Sequence, residues 1–179
     1  PDEVIFTSGA TESNNMVIKG VSEYYGNHRR PIITTKVEHP SVLETCKYLE
    51  SKGCPVVYLD VDKYARITPE QVEQAIKEHN PVLVTVMWGN NELGSLNPIA
   101  EIASVCDQYR VLFHSDATQV IGKISFHLKE LPGLRFLSLS AHKLFGPKGI
   151  GAAVIRKEAG NLYTKITPLI HGGGQENDY

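Results

Sequence analysis

Val82-Leu83-Val84-Thr85-Val86-Met87 is apolar at every position but one. A strand with one wet face alternates apolar and polar residues, whereas an unbroken run of this kind is how a strand covered on both faces reads. Working outward from it, short apolar runs recur at residues 4–7, 31–35, 56–60, 83–88, 111–114, 134–139 and 151–155. Between them, amphipathic spacing predicts helices over 11–24, 41–52, 69–78, 99–108 and 117–123. One helix start is explicit in Thr68-Pro69-Glu70-Gln71: an N-cap Thr, Pro at the first helical position and Gln to close a capping box. Strands alternating with helices build βαβ units. The expected fold is therefore α/β, a three-layer, doubly wound, mostly parallel seven-stranded sheet.

The composition sets looser bounds. A chain of 179 residues with 41% hydrophobic and 21% charged content is an ordinary globular domain with a real core. A net charge of −2 makes no case for nucleic acid or an acidic membrane surface as partner, and no apolar run approaches a transmembrane length. Cys46, Cys54 and Cys106 are widely spaced, with no CxxC and no metal-ligand pattern. That is the usage of reduced thiols, and a cytoplasmic location is expected, with a mitochondrial one left open. The chain opens on Pro1 and runs at once into a strand-like segment, so the lack of a leader in these residues says little about targeting.

In doubly wound sheets ligands sit at the carboxyl ends of the strands, so the residues just after each run matter most. The first run leads into Ser8-Gly9-Ala10-Thr11-Glu12-Ser13-Asn14, a small-residue turn opening a helix. It is either a phosphate cradle, built from backbone N–H groups and the Thr11 hydroxyl, or an ordinary helix start. The second leads into Glu38-His39-Pro40-Ser41, where His39 could stack on a flat ring, move protons, or simply be solvated. The fourth leads into Asn90-Asn91-Glu92-Leu93-Gly94, whose amides either donate to a ligand or build an Asx turn. The fifth ends in Asp116-Ala117-Thr118-Gln119; a carboxylate there needs a cation or donors, and a protonated pyridine nitrogen or the N-terminus of the next helix would serve. The sixth ends in Ser140-Ala141-His142-Lys143, followed by Leu144-Phe145-Gly146-Pro147-Lys148-Gly149. A lysine just past a strand is usually a solvated surface charge; the other reading is a desolvated amine, which condenses with carbonyl cofactors. Taken together, a phosphate cradle, a ring-stacking histidine, amide donors, an acid for a ring nitrogen and an amine for an aldehyde are the handles of pyridoxal 5′-phosphate.

Seven stretches also carry a resemblance to a known family: Phe6 to Asn14, Glu38-His39, Asn90 to Gly94, Asp116 to Gln119, Ser140 to Lys143, Gly146-Pro147-Lys148-Gly149-Ile150-Gly151 and His171-Gly172-Gly173-Gly174-Gln175-Glu176. The chain resembles the class V aminotransferase group of fold-type I pyridoxal-phosphate enzymes, and most closely the cysteine desulfurases. The resemblance implies Lys143 as the Schiff-base lysine and mover of the α-proton. It implies His39 as the ring-stacking histidine with an acid–base role toward substrate, and Asp116 as partner of the pyridine nitrogen. Asn91 and Gln119 fall on the ring-hydroxyl side, and Ala10, Thr11, Ser140 and His142 in the phosphate-binding set. Ala141 stands where these enzymes usually have Gly, a harmless change if the backbone there does not need positive φ.

The implied reaction converts L-cysteine to L-alanine, with the sulfur passing to an enzyme cysteine as a persulfide and on to acceptor proteins, for example toward iron–sulfur clusters. Selenocysteine lyase or another enzyme of the same group is the alternative reading, and an inactive truncated cofactor domain a further one. Cys46 and Cys106 fall in expected helices and Cys54 at a strand start, so all three are expected to be packing thiols. The resemblance places the sulfur-accepting cysteine downstream of the lysine on a loop, beyond Tyr179. Residues 1–179 are accordingly expected to be the large, cofactor-binding domain of a longer, homodimeric enzyme.

Overall fold

A computed structural model describes residues 2–26, 29–157, 164–174, 176 and 179. Gln175, within the last of the seven stretches, lies outside the described residues, as do Asn177 and Asp178 near the chain's end. Among the described residues the strands are β1 (Val4–Thr7), β2 (Ile32–Thr35), β3 (Val56–Leu59), β4 (Leu83–Thr85), β5 (Leu112–Asp116), β6 (Phe136–Ser140) and β7 (Gly151–Ile155). The helices are α1 (Ala10–Tyr24), α2 (Pro40–Ser51), α3 (Pro69–His79) and α4 (Ile99–Gln108). The strands form one seven-stranded sheet in the order β1-β7-β6-β5-β4-β2-β3. Only β7 runs against the rest, pairing antiparallel with both β1 and β6.

The expected three-layer arrangement follows from side-chain alternation in the central strands. On β4, Leu83 joins an apolar cluster with Val17, Ile18 and Val21 of α1 and Val42 and Leu49 of α2. Its neighbour Val84 joins a second cluster with Val72 and Ile76 of α3 and Ile102 and Cys106 of α4. Ile32 and Ile33 of β2 divide between the clusters in the same way. Each face of the sheet is therefore roofed by a helix pair, and the whole 82–87 run is buried. The paired strand at its centre is shorter than its apolar run. Pairing with β5 nevertheless continues on one side, since the Val86 and Trp88 N–H groups donate to the His114 and Asp116 carbonyls at 3.2 and 2.9 Å.

The capping box at α3 forms as its sequence predicts, with Thr68 and Gln71 bonding reciprocally. The helix expected over 117–123 does not. The segment is a series of hydrogen-bonded turns, with Val120 and Ile121 both bonding back to the Ala117 carbonyl. Gly122 at φ 73° stops propagation there, and the β-branched pair before it favours helix only weakly.

Candidate active site

The carboxyl ends of β1, β2, β4, β5 and β6 open onto one cleft of about 220 Å³. All nine residues singled out from the sequence line it, together with Met87, Gly89 and Thr118. The floor is Asp116, the last residue of β5 and 5% exposed. Its carboxylate accepts two neutral donors: the Thr118 N–H at Oδ1 (3.0 Å) and the Asn14 side-chain amide at Oδ2 (2.9 Å). Asp116 thus caps the turn that follows, as an N-cap reading requires, and still lines the cleft.

At one end lies the N-terminus of α1. Gly9, its N-cap, supplies no side-chain bond, and the Ala10 N–H donates to Ser140 Oγ at 2.7 Å, tying the helix start to the end of β6. Ala10, Thr11, Ser140 and His142 also border a second hollow, of about 270 Å³, that carries Lys148 and Gly149 on its far side. These four are the residues for which the family resemblance implies phosphate binding. An uncapped helix start flanked by a lysine is suited to an anion. The N-cap of α1 and the start of β7 meet closely there, for a Cβ at Gly151 would stand 2.4 Å from Gly9 Cα.

His39 sits at the N-cap of α2, with its Nδ1 accepting the Ser41 N–H at 3.1 Å. The two asparagines after β4 divide their roles. Asn90 is buried and builds the Asx turn, its Oδ1 accepting the Glu92 and Leu93 N–H groups, both at 2.9 Å, while Asn91 is exposed and lines the cleft. Gln119 Oε1 accepts a bond from Lys123 at 3.2 Å. Ala141 has no positive φ, so the usual glycine is not needed there.

Of the two readings of Lys143, the structure shows the solvated one. It lies on a single 3-10 turn, Ala141–Leu144, and is exposed, so burial does not desolvate its amine in this chain. The turn ends at Phe145, in a left-handed conformation at φ 62°, and this carries the chain away from the strand end before anything covers the lysine. What sets Lys143 apart is its place on the cleft wall.

Beneath the cleft lie two buried titratable side chains that carry no role in the sequence reading. Glu38 Oε1 accepts Thr35 Oγ1 (2.7 Å) and the Met87 N–H (3.0 Å), and its Oε2 has no partner among the described residues. Burial above all, with Asp116 adding repulsion, raises the Glu38 carboxyl to about 8. His114 bridges Thr85 Oγ1 (2.8 Å) and Ser138 Oγ (2.9 Å), and burial lowers it to about 4, keeping it neutral. Asn14, which bonds Asp116, was also legible only as part of a motif. Its spacing of three, four and seven residues from the buried Val17, Ile18 and Val21 places a polar side chain on an apolar helix face, which is the one signal that marks it.

The three cysteines are free and buried. Burial raises Cys46 to about 12 and shifts Cys54 and Cys106 upward as well. Among the described residues no cluster of three or more His, Cys, Asp or Glu could hold a metal ion, and no helix is long and apolar enough to cross a membrane.

A doubly wound sheet with an ionisable cleft at its strand ends has the architecture of α/β domains that bind ligands at that edge. The chain belongs to the class-V aminotransferase family, whose profile matches residues 1–178. Cysteine desulfurase IscS of Dictyoglomus turgidum is 48% identical over 177 residues, which are 99% of this chain and 43% of that protein. The mitochondrial cysteine desulfurase of Eremothecium gossypii is 45% identical, covering 100% of this chain and 36% of its own length. Among solved structures, SspA in complex with cysteine superposes with a TM-score of 0.91 at 42% identity, over 99% of this chain and 50% of that one. A NifS-like protein superposes with a TM-score of 0.90 at 44% identity, over 99% of this chain and 47% of that one. The chain therefore spans half or less of the length of these relatives.

Proposed function

We propose that these residues are the cofactor-binding large domain of a pyridoxal 5′-phosphate-dependent cysteine desulfurase, which converts L-cysteine to L-alanine and passes the sulfur to an enzyme persulfide. The observation that carries this reading is the convergence of all nine residues, drawn from five strand ends, on one cleft. The donor set fits the cofactor. An uncapped helix start beside Ser140, His142 and Lys148 suits a phosphate, and Asp116 suits a protonated ring nitrogen. Thr118 Oγ1, buried without a partner among the described residues of a cleft-lining side chain, is an acceptor or donor waiting for one.

Bound there, the cofactor supplies an electron-withdrawing ring that takes up charge as bonds at the substrate α-carbon break. The protein's own groups do the rest. Ala10, Thr11, Ser140 and His142 hold the phosphate, and Asp116 keeps a proton on the ring nitrogen. Asn91 and Gln119 would meet the ring hydroxyl, and His39 would stack on the ring. Lys143 anchors the aldehyde as an amine and afterwards moves the α-proton. The thiolate that takes the sulfur is none of Cys46, Cys54 or Cys106, because burial holds all three as thiols. We assign it to a part of the protein outside these residues. Exposed Phe6, Leu93, Phe145 and Ile170 favour a homodimer whose partner covers apolar surface.

The test is direct. The full-length protein should carry a visible absorption band from lysine-bound cofactor and form alanine from cysteine. Lys143→Ala should lose both without unfolding, since the side chain is exposed. A variant that keeps the band removes Lys143 from its role.

A further inference from the structure

Four side chains link the floor of the cleft to its wall. Asn14 Nδ2 donates to Asp116 Oδ2 at 2.9 Å and to Ser41 Oγ at 2.8 Å, and Ser41 Oγ lies 2.8 Å from His39 Nδ1. The directions of these bonds can be worked out. Turning the Asn14 amide over would put its carbonyl against the Asp116 carboxylate, so the NH2 group faces both partners. Ser41 Oγ accepts one of those hydrogens and has its own to donate. The Ser41 backbone N–H also points at His39 Nδ1, at 3.1 Å, and a backbone N–H can only donate. His39 Nδ1 is therefore an acceptor, and the neutral ring carries its hydrogen on Nε2. Placing a proton on Nδ1 would set it against that N–H. Asn14 is fully buried and Ser41 nearly so, and water therefore offers little substitute for these bonds.

We propose that Asn14 and Ser41 are positioning residues that tie Asp116 to His39 and hold His39 as its Nε2–H tautomer, so that His39 serves the cleft as a hydrogen-bond donor and not as a base. Proton abstraction then falls to Lys143 alone. What this means for the cofactor rests on the function proposed above; the tautomer itself does not.

The experiment separates the two. Nitrogen NMR of the full-length protein labelled with 15N-histidine, His39 being assigned from the signal missing in His39→Gln, should show a pyridine-like Nδ1 and a pyrrole-like Nε2, with or without pyridoxal phosphate. Ser41→Ala keeps the backbone N–H that fixes the tautomer but removes the hydroxyl donor, so the His39 Nδ1 resonance should move further into the pyridine-like range and pyridoxal-phosphate binding should weaken about tenfold, as losing a bond that braces a charged group does. Ser41→Thr keeps the hydroxyl and should restore both readouts. A protonated Nδ1 in the wild type overturns the proposal, as does a Ser41→Ala protein whose signals and cofactor affinity are unchanged. Failure of the wild type to show the visible band would instead refute the cofactor reading, and the tautomer result would stand.

Discussion

Replacing Glu38 by Gln tests how much a buried acid under the cleft costs this fold. The carboxyl is 4% exposed and accepts two bonds at Oε1, which a Gln carbonyl can accept equally. Burial lifts it from an ordinary 4.5 to about 8. At about 1.4 kcal/mol for each tenfold change in proton affinity, the difference is worth on the order of 5 kcal/mol. The sign follows from which state holds the proton. Below pH 4.5 Glu38 is protonated both folded and unfolded, and the acid costs nothing. Between 4.5 and about 8 the unfolded chain ionises while the folded one keeps its proton, so stability falls as pH rises; above about 8 the full cost is present. Gln removes this dependence. Its amide nitrogen, in place of an Oε2 that has no partner, carries a cost of about 1–3 kcal/mol that does not vary with pH. The reading therefore lies in the difference between pH values, not in stability at any one. Denaturant titrations from about pH 4.5 to about pH 9 should find that the variant gains on the wild type by several kcal/mol across that range. Infrared spectra should still show a protonated carboxyl at neutral pH that Glu38→Gln removes. Parallel stability curves for the two proteins, or an ionised Glu38 at pH 6, would refute the argument.

Two further outcomes follow from packing. In Gly151→Ala the new Cβ meets backbone, Gly9 Cα at 2.4 Å and the Leu139 carbonyl oxygen at 2.6 Å, so the start of α1, β6 or β7 must move; thermal unfolding should show a loss of about 1–3 kcal/mol, and pyridoxal-phosphate affinity should drop with it because α1 starts there. Cys46, Cys54 and Cys106 should stay unlabelled by a thiol reagent in the native protein and react on unfolding, and peptide mapping that finds native label on any of them would reopen the question of the sulfur acceptor.

Much of this could be read along the chain because the information is local. The apolar runs at 4–7 and 151–155 and the helix at 99–108 coincide with β1, β7 and α4. A strand roofed on both faces needs an unbroken apolar run, and the capping box of α3 is complete within four residues. The same holds for the candidate site. Its residues fall just past strand ends, and a parallel sheet gathers those ends on one edge whatever the order of the strands. Over 117–123 the local reading fails, because amphipathic spacing outweighed Gly122, whose left-handed backbone ends the helix.

What depends on residues far apart in the chain was not legible. Asn14 reaches Asp116 across 102 positions and Ser41 across 27, and nothing near Asn14 names either partner. The exposure of Lys143 follows the turn at Phe145, and its place on the cleft wall depends on strand ends far apart in the chain. The raised Glu38 and the neutral His114 likewise exist only because two helix layers remove water from a sheet face. Sequence alone determined which residues stand at the strand ends, since hydrophobic period and turn chemistry act over a few residues. The tertiary structure alone decided which of those residues touch, which keep their protons and which face solvent, because hydrogen-bond partners and dielectric surroundings come from segments that meet only when the sheet closes.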